Sequence, residues 1–149
     1  MLAFIGAYAL TLCNGCEMKG SAIGNCHCMA LRRAARKISE MYDEALAGTG
    51  LRATQFAILA TLSASDGLNV NELAEKLDLD RTTTGKNLRP LERDGLVAVG
   101  VSASDRRSRV VALTASGRKK VGAAFPLWAE AQARFEATNG RAKAKSGFV

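Results

Sequence analysis

Two groups of side chains in this 149-residue sequence have types and spacings that could do chemistry. The first is Cys13-x2-Cys16, followed by Cys26-His27-Cys28. Thiolates and an imidazole are the donors that zinc and other soft cations accept, and thiolates are also what oxidants attack. Cys13, Cys16, Cys26 and Cys28 are therefore candidate metal ligands and equally candidate redox thiols. A third reading stays open beside these two, in which they are reduced thiols packed near an interface. The Cys-x-Cys half is tighter than most structural zinc sites use, and the stretch between the two halves is rich in glycine. His27, the only histidine, has no serine or acid constellation around it and reads as a surface residue at a helix start.

The second group runs from Arg81 to Arg89, where Thr82, Thr83, Thr84 and Asn87 are interleaved with Arg81, Lys86 and Arg89. Short hydroxyl and amide side chains can bond phosphate oxygens or base edges without holding the backbone away. Leu88 and Leu91 fix a buried face, and helical spacing puts Thr84 on it. Arg81, Thr82, Thr83, Lys86, Asn87 and Arg89 remain as contact candidates, although any one of them could be an ordinary cap or surface residue. Between Arg81 and Arg109 there are seven basic residues against Glu92, Asp94 and Asp105. A net charge of +7 and a pI near 9.6 suit a partner that is a polyanion. Net charge alone leaves nucleic acid, an anionic membrane and mere solubility open; its concentration in this segment favours nucleic acid.

Other classes find little support. There is no P-loop and no G-x-G-x-x-G, so nucleotide chemistry is not indicated. No catalytic constellation presents itself, so the expectation is a protein that is not an enzyme and requires no cofactor. The apolar opening Met1 to Leu12 is far shorter than the ~20 residues that span a bilayer. It also lacks a basic n-region, and Leu-Thr-Leu before Cys13 is a poor cleavage site. The expected location is the cytoplasm, with no membrane partner and the cysteines mainly as thiols.

The elements that must position these groups follow from periodicity. Apolar residues from Leu31 through Ile38 to Leu46 recur at three- and four-residue spacing, which predicts an amphipathic helix ended by Gly48 and Gly50. A second helix carries Phe56, Ile58, Leu59 and Leu62, and Ser63 to Gly67 reads as a turn. Asn69 and Glu72 have capping spacing and open a third helix, and Asp80 caps a fourth after a tight turn. Pro90 is expected to kink or shorten that fourth helix near its last turns. Val97, Val99 and Val101, and then Val111 and Leu113, alternate as strands around an Arg-rich connection, Ser102 to Ser108. Thr114 caps a fifth helix with Phe125, Leu127 and Trp128, expected to bend at Pro126. The fold class is mainly α with a small β-hairpin. Its central lobe, about 51–113, has the order helix, tight turn, helix, charged hairpin, which is the order of a winged helix-turn-helix.

Over these residues the sequence resembles the multiple antibiotic resistance regulator (MarR) family. The likeness rests on LRATQFAIL, VNELAEKLDLDRTTTGKNLRPLERDGLV, SDRRSRVVALTASG and FPLWAEAQ, from about Cys28 to Gln132. The resemblance implies a MarR-like domain over 29–139, with dimerisation helices at about 29–48 and 115–137. An apolar, Cys-rich segment (1–28) precedes it, and a basic tail (140–149), expected to be disordered, follows. It implies a homodimer that binds an inverted-repeat operator in double-stranded DNA, with Arg81 to Arg89 as the recognition helix. In the wing it implies that Asp105 braces the loop while Arg107 enters the minor groove, with Arg106 as the alternative. It further implies a transcriptional regulator, a repressor released by a small aromatic effector; the cysteines add thiol oxidation as the other means of release. Lys86 departs from the family, which often has Arg there; the charge is kept but the bidentate fork is lost, so Lys86 reads as a phosphate contact. The competing functions are a redox- or metal-sensing thiol protein using the N-terminal cysteines, and an interaction module using the basic tail.

Overall fold

A computed structural model of the chain describes residues 26–101 and 109–140. The chain divides into two compact units, residues 1–37 and residues 38–149. Helix α1 (His27–Leu46) begins two residues before the predicted start. In the first unit, Cys26 to Lys37 are all exposed, Met29 and Leu31 included. The predicted buried stripe of α1 is therefore solvent-facing within this chain over Leu31, Ala34 and Ala35. Farther along, Ile38, Met41, Tyr42 and Ala45 are half-buried and Leu46 is fully buried. A short 3-10 turn (Ala47–Thr49) follows, and Gly50 closes it at φ 72°, a left-handed conformation that only glycine adopts without penalty.

Helix α2 (Ala53–Ser63) is apolar nearly all round and sits at the centre of the second unit, burying Phe56, Ile58, Leu59 and Leu62. Around it are gathered β1 (Leu68–Asn69), α3 (Val70–Lys76), α4 (Arg81–Arg93), β2 (Val97–Val101), β3 (Arg109–Leu113) and α5 (Ala115–Asn139). The shared core takes Leu73 from α3, Leu88 and Leu91 from α4, Leu96 and Val97, Val111 and Leu113 from β3, and Ala124 from α5. Trp128 of α5 stacks on Phe56 with ring centroids 5.7 Å apart, which joins α5 to the buried helix.

The predicted caps are present. Asn69 Oδ1 accepts the Asn71 and Glu72 amides at 2.9 and 3.0 Å, and Glu72 accepts the Asn69 amide at 2.8 Å, a reciprocal capping box. Thr114 Oγ1 accepts the Gly117 amide at 3.0 Å and donates to the Gly95 carbonyl at 2.8 Å, so the cap also anchors the start of α5.

The sheet has three strands in the order β1-β3-β2, all antiparallel. The β2 and β3 runs are those predicted, whereas β1 falls where no strand is expected. It consists of two residues, Leu68 and Asn69, paired with Val111 and Val110, and a pair so short leaves no alternation to detect. Gly67 lets it close in: its φ is 133°, and a Cβ there would lie 2.6 Å from the Val110 side chain.

Both prolines sit inside helices that continue past them. Pro90 lies one turn before the end of α4, and α5 is a single helix through Pro126. The carbonyls each ring leaves unbonded belong to Lys86 and Gly122, which are both exposed, so water can take the lost bond.

Candidate nucleic-acid interface

The turn between α3 and α4 is closed by backbone. Leu79 donates to the Ala74 carbonyl at 2.9 Å and Asp78 to the Glu75 carbonyl at 3.1 Å, with Asp78 at φ 51°. This is a Schellman closure in which an aspartate takes the left-handed position usually given to glycine. It leaves Asp80 at the head of α4. There the carboxylate accepts the Thr83 amide at 2.8 Å and the Thr83 hydroxyl at 2.6 Å.

Those two bonds hold the Asp80 carboxyl below its ordinary pKa, the Thr83 hydroxyl contributing most. A depressed carboxyl stabilises the fold at pH values above its unfolded pKa, ~3.9. That contribution is lost as the pH falls from there through the folded value. Asp80→Asn is therefore expected to narrow the gap in urea midpoint between pH 7 and pH 3 relative to wild type. Equal gaps in the two proteins would mean that Asp80 exerts no pH-dependent hold on the helix.

Along α4, Thr84 is fully buried and its hydroxyl donates to the Asp80 carbonyl at 3.0 Å, as its assignment to the inner face requires. Arg81, Thr82, Lys86 and Arg89 are exposed. Arg81, Lys86 and Arg89 make no ion pair among the described residues, whereas Arg93 is tied to Asp94 at 3.0 Å. Thr83 and Asn87 are half-buried and partly engaged inside the helix: the Thr83 hydroxyl goes to Asp80, and the Asn87 amide donates to the Thr83 carbonyl at 2.9 Å. Sequence reasoning places the cap on Asp80 but does not foresee these two bonds, because the same residues at the same spacing can equally point outward. Arg109, at the start of β3, is exposed. Asp105, Arg106 and Arg107 of the expected wing lie outside the described residues.

A second cap holds α2. Asp43 of α1 accepts the Ala53 amide at 2.7 Å with one carboxylate oxygen and pairs with Arg52 at 3.1 Å with the other. Donor and acceptor are ten positions apart in the chain, so no local spacing rule could have found this bond. Asp43→Ala is expected to cost about 1 kcal/mol in a urea titration, the usual worth of a cap. Arg52→Ala should cost no more than about 0.5 kcal/mol, since its guanidinium is 80% exposed. If the two losses came out equal, the ion pair and not the cap would be what holds the helix start.

On the other side of α1, Tyr42 donates to Gln132 of α5, which donates in turn to Glu136 at 3.1 Å. Burial and the neighbouring Glu136 push the Tyr42 phenol above its ordinary pKa. An open cleft of about 440 Å³ lies among Thr49, Gln55, Leu91, Asp94, Ser116 and Lys120. Cys26 and Cys28 are exposed at the start of α1, and Cys13 and Cys16 lie outside the described residues. Among the described residues no three His, Cys, Asp or Glu side chains come together as a metal site would require. No helix among them is long and apolar enough to cross a membrane.

Two helices joined by a tight turn, the second with a polar and cationic outer face, followed by an antiparallel strand pair, define a winged helix-turn-helix. A MarR family model matches residues 51–108, from α2 through the β2–β3 connection. The chain is 41% identical to the M. tuberculosis transcriptional regulator MosR in a structure with DNA, with a TM-score of 0.72 over 83% of this chain and 94% of that one. The transcriptional repressor CouR, bound to a 23-mer DNA duplex, is 31% identical with a TM-score of 0.71 over 87% of this chain and 92% of that one. Among curated proteins, the transcriptional activatory protein BadR of Rhodopseudomonas palustris is 36% identical over 59% of this chain and 52% of its own length. The match thus spans about half the length of that relative. The chain belongs to the MarR family of transcriptional regulators.

Proposed function

We propose that this protein is a sequence-specific double-stranded DNA-binding transcriptional regulator, acting in the cytoplasm as a homodimer on an inverted-repeat operator. The observation that carries the reading is the outer face of α4, where Arg81, Lys86 and Arg89 stand exposed without ion-pair partners among the described residues, around Thr82, while Thr84, Leu88 and Leu91 fasten the opposite face into the core. Three exposed cations on one helix repel one another, and phosphates relieve that repulsion. The exposed Met29 and Leu31 of α1 support a second copy as partner. In such a dimer the two α4 helices would lie ~34 Å apart, one turn of DNA. The protein acts by binding, with no catalytic residues and no required cofactor.

Regulation is proposed as repression relieved in one of two ways. The polar cleft beside α4 and α5 would accept a small effector bearing polar groups on an aromatic frame. The exposed Cys26 and Cys28 would make DNA release sensitive to oxidants. Both the reading and its rival, a thiol protein whose basic lobe is incidental, are tested by one experiment. Duplexes are selected from a randomised pool with the full chain, and anisotropy is measured on the winner and on a scrambled duplex at two salt concentrations. The expected result is an inverted repeat bound at least ~1000-fold more tightly than the scramble by two chains per site. Equal affinity for both duplexes leaves the thiol reading in possession.

A further inference from the structure

Gly85 stands in the interior of α4, where glycine is among the poorest helix formers. The usual structural reasons for a glycine are absent there. Its φ is not left-handed, and a Cβ built on it would meet nothing within 4 Å. Several other described glycines have such reasons. Gly50, Gly67 and Gly95 have positive φ, and a Cβ on Gly117 would meet the Leu96 carbonyl. Gly122 of α5 is likewise helical and open. Among the described residues Gly85 and Gly122 stand in α-helices without such a reason, and Gly85 is the one on the helix that carries the cationic face. By helical spacing its neighbours one turn away are the exposed Arg81, Thr82 and Arg89 and the buried Leu88, so the half-buried backbone of Gly85 lies at the edge of the cationic face.

We propose that Gly85 is a specificity-determining position: the missing side chain lets the α4 backbone come into van der Waals contact with the floor of the major groove, against the 5-methyl group of a thymine. This rests on the DNA-binding reading above. The thymine methyl is the apolar group that projects into that groove, and it is met there by apolar surface. Gly85 Cα offers that surface, and Arg81 and Arg89 on either side can hold the phosphates that fix the depth of insertion.

Gly85→Ala separates this from a merely permissive glycine, because the two readings predict opposite combinations. The probe is the duplex selected by the wild-type full chain, with its scrambled counterpart. Alanine should raise the melting temperature by about 2–5 °C. It should also weaken binding to the selected duplex by about tenfold or more and leave the scrambled duplex within about twofold. Replacing thymines by uracil one position at a time should then recover most of the affinity of the alanine variant at a single position per half-site, where the methyl and the added Cβ collide. A variant that melts higher and binds the selected duplex as wild type does overturns the proposal. So does a weakening that no uracil recovers, or a lowered melting temperature, which would reveal an internal reason for the glycine. If wild type itself does not prefer the selected duplex over the scramble, the DNA-binding reading has failed first and takes this assignment with it.

Discussion

Gly117→Ala is expected to lower stability by about 3 kcal/mol or more, a large effect for a single added methyl. An added Cβ would lie 2.1 Å from the Leu96 carbonyl oxygen and 2.7 Å from Leu113 Cδ1. A flexible side chain could turn away, but a backbone oxygen cannot. The Leu96 carbonyl also accepts the Thr114 amide at 3.1 Å, and Thr114 caps the helix on which Gly117 stands. Relief therefore requires the start of α5 to lift from residues 95 and 96, which breaks the Thr114 hydroxyl bond to Gly95 and opens the core beside Leu113. Urea denaturation of the full chain at neutral pH reads the effect directly. A midpoint within about 1 kcal/mol of wild type would mean that α5 can shift at little cost.

The second large effect is on DNA. Replacing Arg81, Lys86 and Arg89 together by alanine is expected to reduce affinity for duplex DNA on the order of a hundredfold at moderate salt. The slope of log affinity against log salt should fall by about 2–3, because each phosphate that a side chain neutralises adds slightly less than one unit to it. Stability should hardly change, since all three side chains are exposed and alanine is the better helix former. An intact fold with a flattened salt dependence is what a phosphate-binding face requires. An unchanged slope would move the DNA to another surface, and the reading of α4 as recognition helix would go with it.

How much of the molecule is legible in its sequence depends on the range of the interaction. The caps at Asn69, Asp80 and Thr114 are legible because a helix start leaves orphan N–H groups that a side chain two or three residues away can satisfy, wherever the helix lies. The inner face of α4 is legible for a related reason: Thr84, Leu88 and Leu91 share one side of any helix of 3.6 residues per turn. So is the cationic segment, because charge sequence alone gives its sign and place. The engagement of Thr83 and Asn87 is not, although both bonds are local, since the choice between the helix's own backbone and an outside partner is a matter of rotamer.

What the tertiary structure alone decided is of longer range. The strand β1 exists because β3 offers Val110 and Val111 to two residues that would otherwise be loop. The start of α2 is capped from α1 because packing brings Asp43 to Ala53, ten positions away in the chain. The periodicity of α1 required an apolar stripe, but it could not say that the chain would cover Leu46 fully while leaving Leu31 to solvent. The open space at Gly85 and the closed space at Gly117 are identical letters in the sequence. Local order follows from backbone groups that must be satisfied nearby, whereas contacts between distant segments are fixed only by the joint packing of the whole core, which no single window of sequence contains.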